Sequence, residues 1–420
     1  MRSRLTLGLM VLLVAAGCGG RQETTPPPPL QPTAPTAPLA PPVPAAAPRV
    51  GLLLPLSGSA ATLGQDLLDA AQLALFDVGQ TGLELLPRDT GDRPEQAAAA
   101  ARSALDAGAE LLIGPLFGRS AVAVAPVAAE RGVGVISFSN DASIARPGLY
   151  TLGFRPEEQV ERVVGYAAGQ GRTRFAALAP EDAYGALALA AWRSAVARTP
   201  GATSVVAESY PAASNSPQAA IERVATVGRP GGLPAAQVGG PDEIGAPAPS
   251  ATAAPDLPPP GFDALLVADG GPRVASIAAL LAYYGVAPPT TALLGTMRWQ
   301  DDPTLLADPG LQGSWLATWP PEAIQSFARR FEAVYGRVPA PLAVLAYDAT
   351  ALAVLLAQSE PRFTQQQLTD PQGFVGGAGI FRLRPDGLAE HGLAVVEVQG
   401  GSVRVIDPAP PSFTQGLARR

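Results

Sequence analysis

From residue 49 the chain alternates short apolar runs with stretches of helical periodicity, and that alternation limits its fold more than any other feature. The runs Val50-Gly-Leu-Leu-Leu-Pro55, 83–87, 110–113 and 133–137 are short and rich in large apolar residues, the pattern of strands buried on both faces. Between them, 63–78, the stretch after Pro94 through Ala107, and 119–131 place apolar residues at helical spacing. The rhythm restarts with a helix at 157–170, a strand at 174–179, a helix at 185–198, a strand at 202–209 and a helix around 217–226. It resumes with strand 262–268, helix 273–284, strand 291–295 and helices 322–335 and 340–357. Strands separated by helices join through right-handed βαβ crossovers into parallel sheets. The expected fold is therefore α/β, with two doubly wound parallel-sheet lobes joined by a hinge. The end departs from the rhythm: 379–383, the turn Arg384-Pro-Asp-Gly387, then 392–399 and 402–406 predict a hairpin.

On this reading one lobe holds residues 49–154 and 320–365, the other 155–319 and 366–407, and 408–420 is a tail. Residues 228–260 break the alternation with Pro, Gly and Ala and few large apolar side chains, so they predict a surface insertion with little core of its own.

The first residues, MRSRLTLGLMVLLVAAGCGG, join a positive start at Arg2 and Arg4 to an apolar run, 5–14, too short to span a bilayer. Small residues Ala15-Ala16-Gly17 stand directly before Cys18. This resembles the lipobox of bacterial lipoproteins, in which the cysteine thiol receives a diacylglyceryl group; residues 1–17 would then be removed. Ala15 stands where that motif usually has Leu. Losing Arg2 and Arg4 would take the formal charge from −7 to −9. Gly19 after the cysteine implies, by the familiar sorting rule, periplasmic display on a lipid anchor in the outer membrane, and several acyl chains together hold a protein there. Residues 18–48 are dense in proline, which favours extended polyproline II; at about 3.1 Å per residue such a stalk reaches at most roughly 90 Å.

Several chemistries are excluded by counting. With one Cys (Cys18) and one His (His391) the chain can form no internal disulfide and no Cys/His metal cluster. Its cationic side chains are all Arg, so Ser-Lys catalysis is absent, and a net charge of −7 without an Arg-rich run argues against a nucleic-acid surface. A Ser-His-Asp triad would need His391, which lies in the terminal hairpin and reads as a surface residue; no G-x-S-x-G elbow, P-loop or dinucleotide fingerprint is present. Asp301-Asp302 and Glu157-Glu158 are sequence neighbours that point apart. The expectation is a non-enzyme with no cofactor and no metal.

The segment PLSGSAATLGQDLLDAAQLAL resembles the opening of type I periplasmic binding proteins of the branched-chain amino acid class. LLIGPLFGRS (111–120), VISFSND (135–141), GFRPEEQ (153–159), DAYG (182–185), LLVADGG (265–271), LLGTMRW (293–299), LAYDATALAVLLA (345–357) and GGAGIFRLRPDG continue the resemblance in order over roughly 48–406. It implies a ligand held between the lobes by loops after the carboxyl ends of the strands, where helix N-termini favour carboxylates. Carried over residue by residue, one holding loop is Leu116, Phe117 and Gly118, a second is Ser139, Asn140 and Asp141, and Tyr184 covers the ligand from across the hinge. Ser57 joins the first lobe's set. Each position also has a plain structural reading: a turn at Gly58, a strand-to-helix connection at 114–118, a turn cap at 139–141, and Asp182 as helix cap beside Tyr184. Where amino-acid binders of this class carry an acid to pair with the ligand's ammonium, this chain has Thr296-Met297-Arg298-Trp299, and Asp141 would replace that acid only by reaching the same spot. Trp299 reads as either a stacking platform or a packed hinge aromatic.

A second resemblance is to outer-membrane lipoproteins that activate bifunctional penicillin-binding proteins, whose C-terminal domain has this fold and similar wording (LLLPLSG, GPL, a Ser-Asn after the fourth strand). This chain lacks their helical-repeat domain and has the Pro-rich stalk instead. Two functions follow: a tethered, non-catalytic regulator touching a peptidoglycan synthase, and a receptor delivering an amino acid or other small anionic solute to an ABC permease.

Overall fold

The computed structural model describes residues 47–79, 82–213, 217–229, 257–300 and 302–413. Cys18, the residues before it, the stalk up to residue 46, most of the 228–260 insertion, Asp301 and the last seven residues lie outside the described residues.

The chain opens with β1 (Arg49–Leu54), α1 (Ala61–Val78), β2 (Glu84–Asp89), α2 (Pro94–Asp106), β3 (Leu111–Ile113), α3 (Gly118–Ala129), β4 (Gly134–Ser137) and β5 (Leu149–Thr151). These strands form one parallel sheet in the order β2-β1-β3-β4-β5. The order is doubly wound because α1 packs on one face while α2 and α3 pack on the other. β1 and β3 bury nearly every residue, as strands covered on both sides must.

The second lobe begins with α4 (Pro156–Gly169), β6 (Arg174–Pro180), α5 (Ala183–Arg198), β7 (Thr203–Tyr210), α6 (Gln218–Thr226), β8 (Ala264–Val267), α7 (Pro272–Tyr283), β9 (Ala292–Gly295), α8 (Pro303–Ala307) and β10 (Trp315–Thr318). The chain then returns through α9 (Pro321–Tyr335) and α10 (Ala343–Leu356), which packs along α1 of the first lobe. α10 is apolar around its whole circumference because it is enclosed there, with only Asp348 charged among its buried residues. After α11 (Gln365–Leu368) come β11 (Phe374–Gly376), β12 (Gly379–Leu383), β13 (Ala389–His391), β14 (Ala394–Gln399) and β15 (Ser402–Asp407). The second sheet runs β15-β14-β10-β9-β8-β6-β7, parallel from β7 to β10 and antiparallel at β14 and β15.

One sequence expectation is corrected. The turn at 384–387 does join a hairpin, but its second strand is β13, with Leu383 opposite Ala389, and not 392–399. β14 instead pairs with β10 and with β15. β11–β13 make a separate three-stranded sheet against α10, and Thr151 bridges to Leu388. The short strands β5, β10 and β11 escape periodicity because three or four residues carry too little of a pattern.

One buried cluster spans both lobes, from Val50 and Ile113 through Phe154 and Trp319 to Phe175 and Trp192. Full burial of a side chain such as Phe175 contributes roughly 1.5–3 kcal/mol. A second cluster, around Phe262, Tyr284 and Trp299, fills the other face of the seven-stranded sheet. The insertion leaves and returns at adjacent points: Gly261 N–H donates to the Val227 carbonyl at 2.7 Å, and buried Arg229 donates to the carbonyls of Pro258 (2.8 Å) and Tyr284 (2.6 Å).

Candidate ligand-binding cleft

Three segments cross between the lobes, and their side chains meet. Phe154 leads from β5 into α4, Trp319 from β10 into α9, and His391 ends β13 just before β14. The Phe154 ring lies 4.7 Å from Trp319, edge on, and 4.8 Å from His391. Arg155 donates to Glu158 (2.8 Å) and to the Ala389 carbonyl (3.0 Å), and Glu158 also meets His391 Nδ1 at 3.0 Å. The expectation of a surface His391 is thus wrong: its side chain is 6% exposed, because β13 turns it toward the crossover and not toward solvent. Since β5 and β10 both enter the crossovers from their carboxyl ends, the carboxyl edges of the two sheets converge on this knot. Ligands in open α/β sheets bind at such edges.

On the first lobe's edge the sequence-predicted residues assemble. Phe117 precedes α3, and Gly118 is its first residue. A side chain at Gly118 would come within 3.1 Å of Ser139 Oγ and 3.6 Å of Asp141, so glycine lets the loops after β3 and β4 touch. Ser139 is buried and its hydroxyl accepts the Asp141 N–H at 3.1 Å; Asp141 in turn accepts the Ser143 N–H (2.9 Å) and hydroxyl (2.6 Å). Asp141 is therefore a turn cap as well as an exposed carboxylate, and Asn140 beside it is exposed. Ser57 is tied down by Asp89, which accepts its hydroxyl at 2.5 Å together with the N–H groups of Leu56, Ser57 and Gly91. Burial opposes the charge on Asp89, but these four donors outweigh it and hold the carboxyl below its usual range. Sequence reading missed Asp89, which organises the loop from the end of β2; an acid closing a strand was the available signal.

The second lobe's edge is built from the loops after β6, β8 and β9. Asp182 caps α5 by accepting the Gly185 N–H at 2.7 Å, which sets Tyr184 in the helix's first turn. The half-buried Tyr184 hydroxyl donates to Thr296 Oγ1 at 2.8 Å; burial, first of all, keeps this phenol protonated. Arg298 is exposed, with its guanidinium 4.5 Å above the Tyr184 ring. Trp299 is wholly buried and donates to the Asp269 carbonyl at 3.1 Å, so it is packing and not a platform. The buried Gln159 side chain accepts the Met297 N–H at 2.9 Å, linking the start of α4, one turn from the knot, to the Arg298 loop. Asp269 holds Arg273 (2.5 Å), the Tyr210 hydroxyl and the Gly270 N–H (2.7 Å); burial opposes its charge, but these partners keep it ionised.

The named residues thus fall into two groups, Ser57, Phe117, Gly118, Ser139, Asn140 and Asp141 on one edge, Tyr184 and Arg298 on the other. Between them they present hydroxyls, an amide, one carboxylate (Asp141), one cation (Arg298) and aromatic faces. Two surface concavities, of about 280 and 320 Å³, lie elsewhere on the first lobe, beside Phe363 and beside Tyr347. Among the described residues no group of three His, Cys, Asp or Glu side chains could hold a metal, and no helix is long and apolar enough to cross a membrane.

A sequence profile described as periplasmic binding protein matches residues 48–402. Among curated proteins, an uncharacterised protein of Rickettsia prowazekii is 26% identical over 136 residues, which is 32% of this chain and only about a third (36%) of that relative. Among solved structures, one assigned to a branched-chain amino acid ABC transporter from Rhodospirillum rubrum superposes with a TM-score of 0.69 at 21% identity, covering 86% of this chain and 100% of that one. A periplasmic ligand-binding protein of a branched-chain amino acid ABC transporter from Burkholderia xenovorans gives 0.65 at 18%, covering 87% and 96%. A solute-binding protein from Rhodopseudomonas palustris in complex with benzoate gives 0.55 at 18%, covering 87% and 97%. At these identities the structural likeness speaks for the fold.

Proposed function

The chain belongs to the periplasmic binding protein family, and from that premise we propose that it is a periplasmic solute receptor that delivers a small anionic solute to an ABC permease. The observation that carries this reading is the convergence of both carboxyl edges on one buried crossover, with polar loops on one edge and Tyr184 and Arg298 on the other. Closure about Phe154, Trp319 and His391 would bring the two sets onto one solute. The structural relatives named above are transport receptors, which also supports delivery over regulation. Members of the family bind rather than transform their ligands. Cys18 would tether the receptor by lipid, with residues 19–48 as its stalk.

A tethered regulator of a bifunctional penicillin-binding protein is the second reading; the lipobox-like segment and the Pro-rich stretch favour it. One preparation separates the two. The full chain is purified from membranes, its co-purifying proteins identified by mass, and any small molecule released by denaturation and weighed. Permease subunits or a released solute support the receptor. A penicillin-binding synthase in place of both, with no solute released, would overturn it in favour of the regulator.

A further inference from the structure

Among the described residues no carboxylate oxygen lies within 4.0 Å of the Arg298 nitrogens, although Arg298 stands beside residues rich in such pairs. Two carboxylates described on the same edge of the second lobe are already engaged. Asp269 is buried under Arg273, the Tyr210 hydroxyl and the Gly270 N–H, and Asp182 caps α5. An unpaired arginine on an open surface would mean little, but this one is held in place. Its guanidinium covers the Tyr184 ring at 4.5 Å, and that ring is fixed by the hydroxyl bond to fully buried Thr296. Its Cβ and Nε lie against Gly270, where an added side chain would come within 2.9 Å of both, so the glycine keeps the path of the arginine clear. From below, Gln159 pins the loop through Met297 N–H. A cation held over an aromatic ring by attraction to its face gives up none of its N–H donors to a carboxylate, and the guanidinium fork fits a carboxylate in two parallel bonds.

We infer that Arg298 selects the solute by charge: it pairs with a carboxylate of the solute, and the ligand presents no ammonium group to this edge. An ammonium brought here on closure would meet an unpaired cation where water is being excluded, and like charges are costly in that setting. The solute class is therefore an organic acid anion, aliphatic or aromatic, in preference to its neutral amide or to the α-amino acid of the same skeleton. The first edge, where Ser139, Asn140 and the N-terminus of α3 stand beside the exposed Asp141 carboxylate, would take the solute's other polar groups. This inference rests on the receptor reading and sharpens it.

Titration calorimetry on the full chain tests it with matched probes: 4-methylpentanoate against 4-methylpentanamide and leucine, and benzoate against benzamide. At least one acid should bind about tenfold or more tighter than its amide, a difference of about 1.4 kcal/mol. Arg298→Gln should abolish that preference at an unchanged melting temperature, and Arg298→Lys, which keeps the charge without the fork, should retain part of it. Equal affinity for acid and amide, a preference for leucine over 4-methylpentanoate, or discrimination that survives Arg298→Gln would overturn the inference while leaving the receptor reading intact. No binding of any probe, together with no solute released from the purified chain, would overturn the receptor reading and the inference together.

Discussion

Asp348 shows how much a single residue can reveal about conditions inside this fold. Asp348 is 3% exposed on α10, and among the described residues its carboxylate accepts two backbone N–H groups, from Gly377 (2.5 Å) and Ala378 (3.2 Å). Burial pushes its pKa from 3.8 up to about 7, the two N–H groups and the His391 ring pulling weakly the other way. The folded state therefore binds the proton more tightly than the unfolded chain. The stability this group contributes is fully present below about pH 4 and is lost as pH rises through about 7. Asp348→Asn should flatten that slope, read as the difference between urea midpoints at pH 5 and pH 8; a slope equal to wild type would remove Asp348 as its source. Arg337 is the opposite case. Its guanidinium lies between Asp66 and Asp69 of α1, both nearly buried, and Ala340 N–H also donates to Asp66 at 2.8 Å. Arg337→Ala would leave two buried carboxylates without their cation, at a cost of about 3 kcal/mol in denaturant unfolding.

At the scale of elements, α4 does two jobs that its sequence announces only in part. Its apolar stripe, Val160, Val163, Val164 and Ala167, follows helical periodicity and is buried against the sheet. Gln159, on the same turn, is buried for a different reason: it carries the acceptor for Met297 N–H and so sets the Arg298 loop. Gln159→Leu should cost about 1–3 kcal/mol by leaving a buried N–H unpaired. It should also weaken solute binding though Gln159 lies beneath the edge; calorimetry beside a melting curve separates the two effects. The lesson extends to β14. Its run of valines reads as a strand from sequence, but which sheet it joins depended on pairing with β10, on the far side of the crossover.

For the whole molecule, the crossover is where lobe motion would be set. Phe154, Trp319 and His391 come from three places far apart in the chain, and the buried core runs through them continuously. Trp319→Ala removes the largest of these rings and should cost about 3 kcal/mol of stability. It should also widen the distribution of lobe angles, seen in X-ray scattering as a larger radius of gyration without solute and a larger contraction with it. Identical scattering curves for variant and wild type would place the hinge elsewhere.

The sequence by itself determined the layered α/β class, the run of strands and helices that builds each lobe, and the loops after β1, β3, β4, β6 and β9 as the places to look for a site. Those are local matters: burial on both faces writes an apolar strand, helical periodicity writes an amphipathic helix, and a cap or glycine marks where one ends. Only the tertiary structure decided that His391 is enclosed by Phe154 and Glu158, that Trp299 is core, that β13 rather than β14 closes the hairpin, and that Asp89 and Gln159 hold loops they do not belong to. The hairpin was decided by β14 pairing with distant β10, and the others by contacts between segments tens to hundreds of residues apart; no local pattern records which distant partner a side chain will meet.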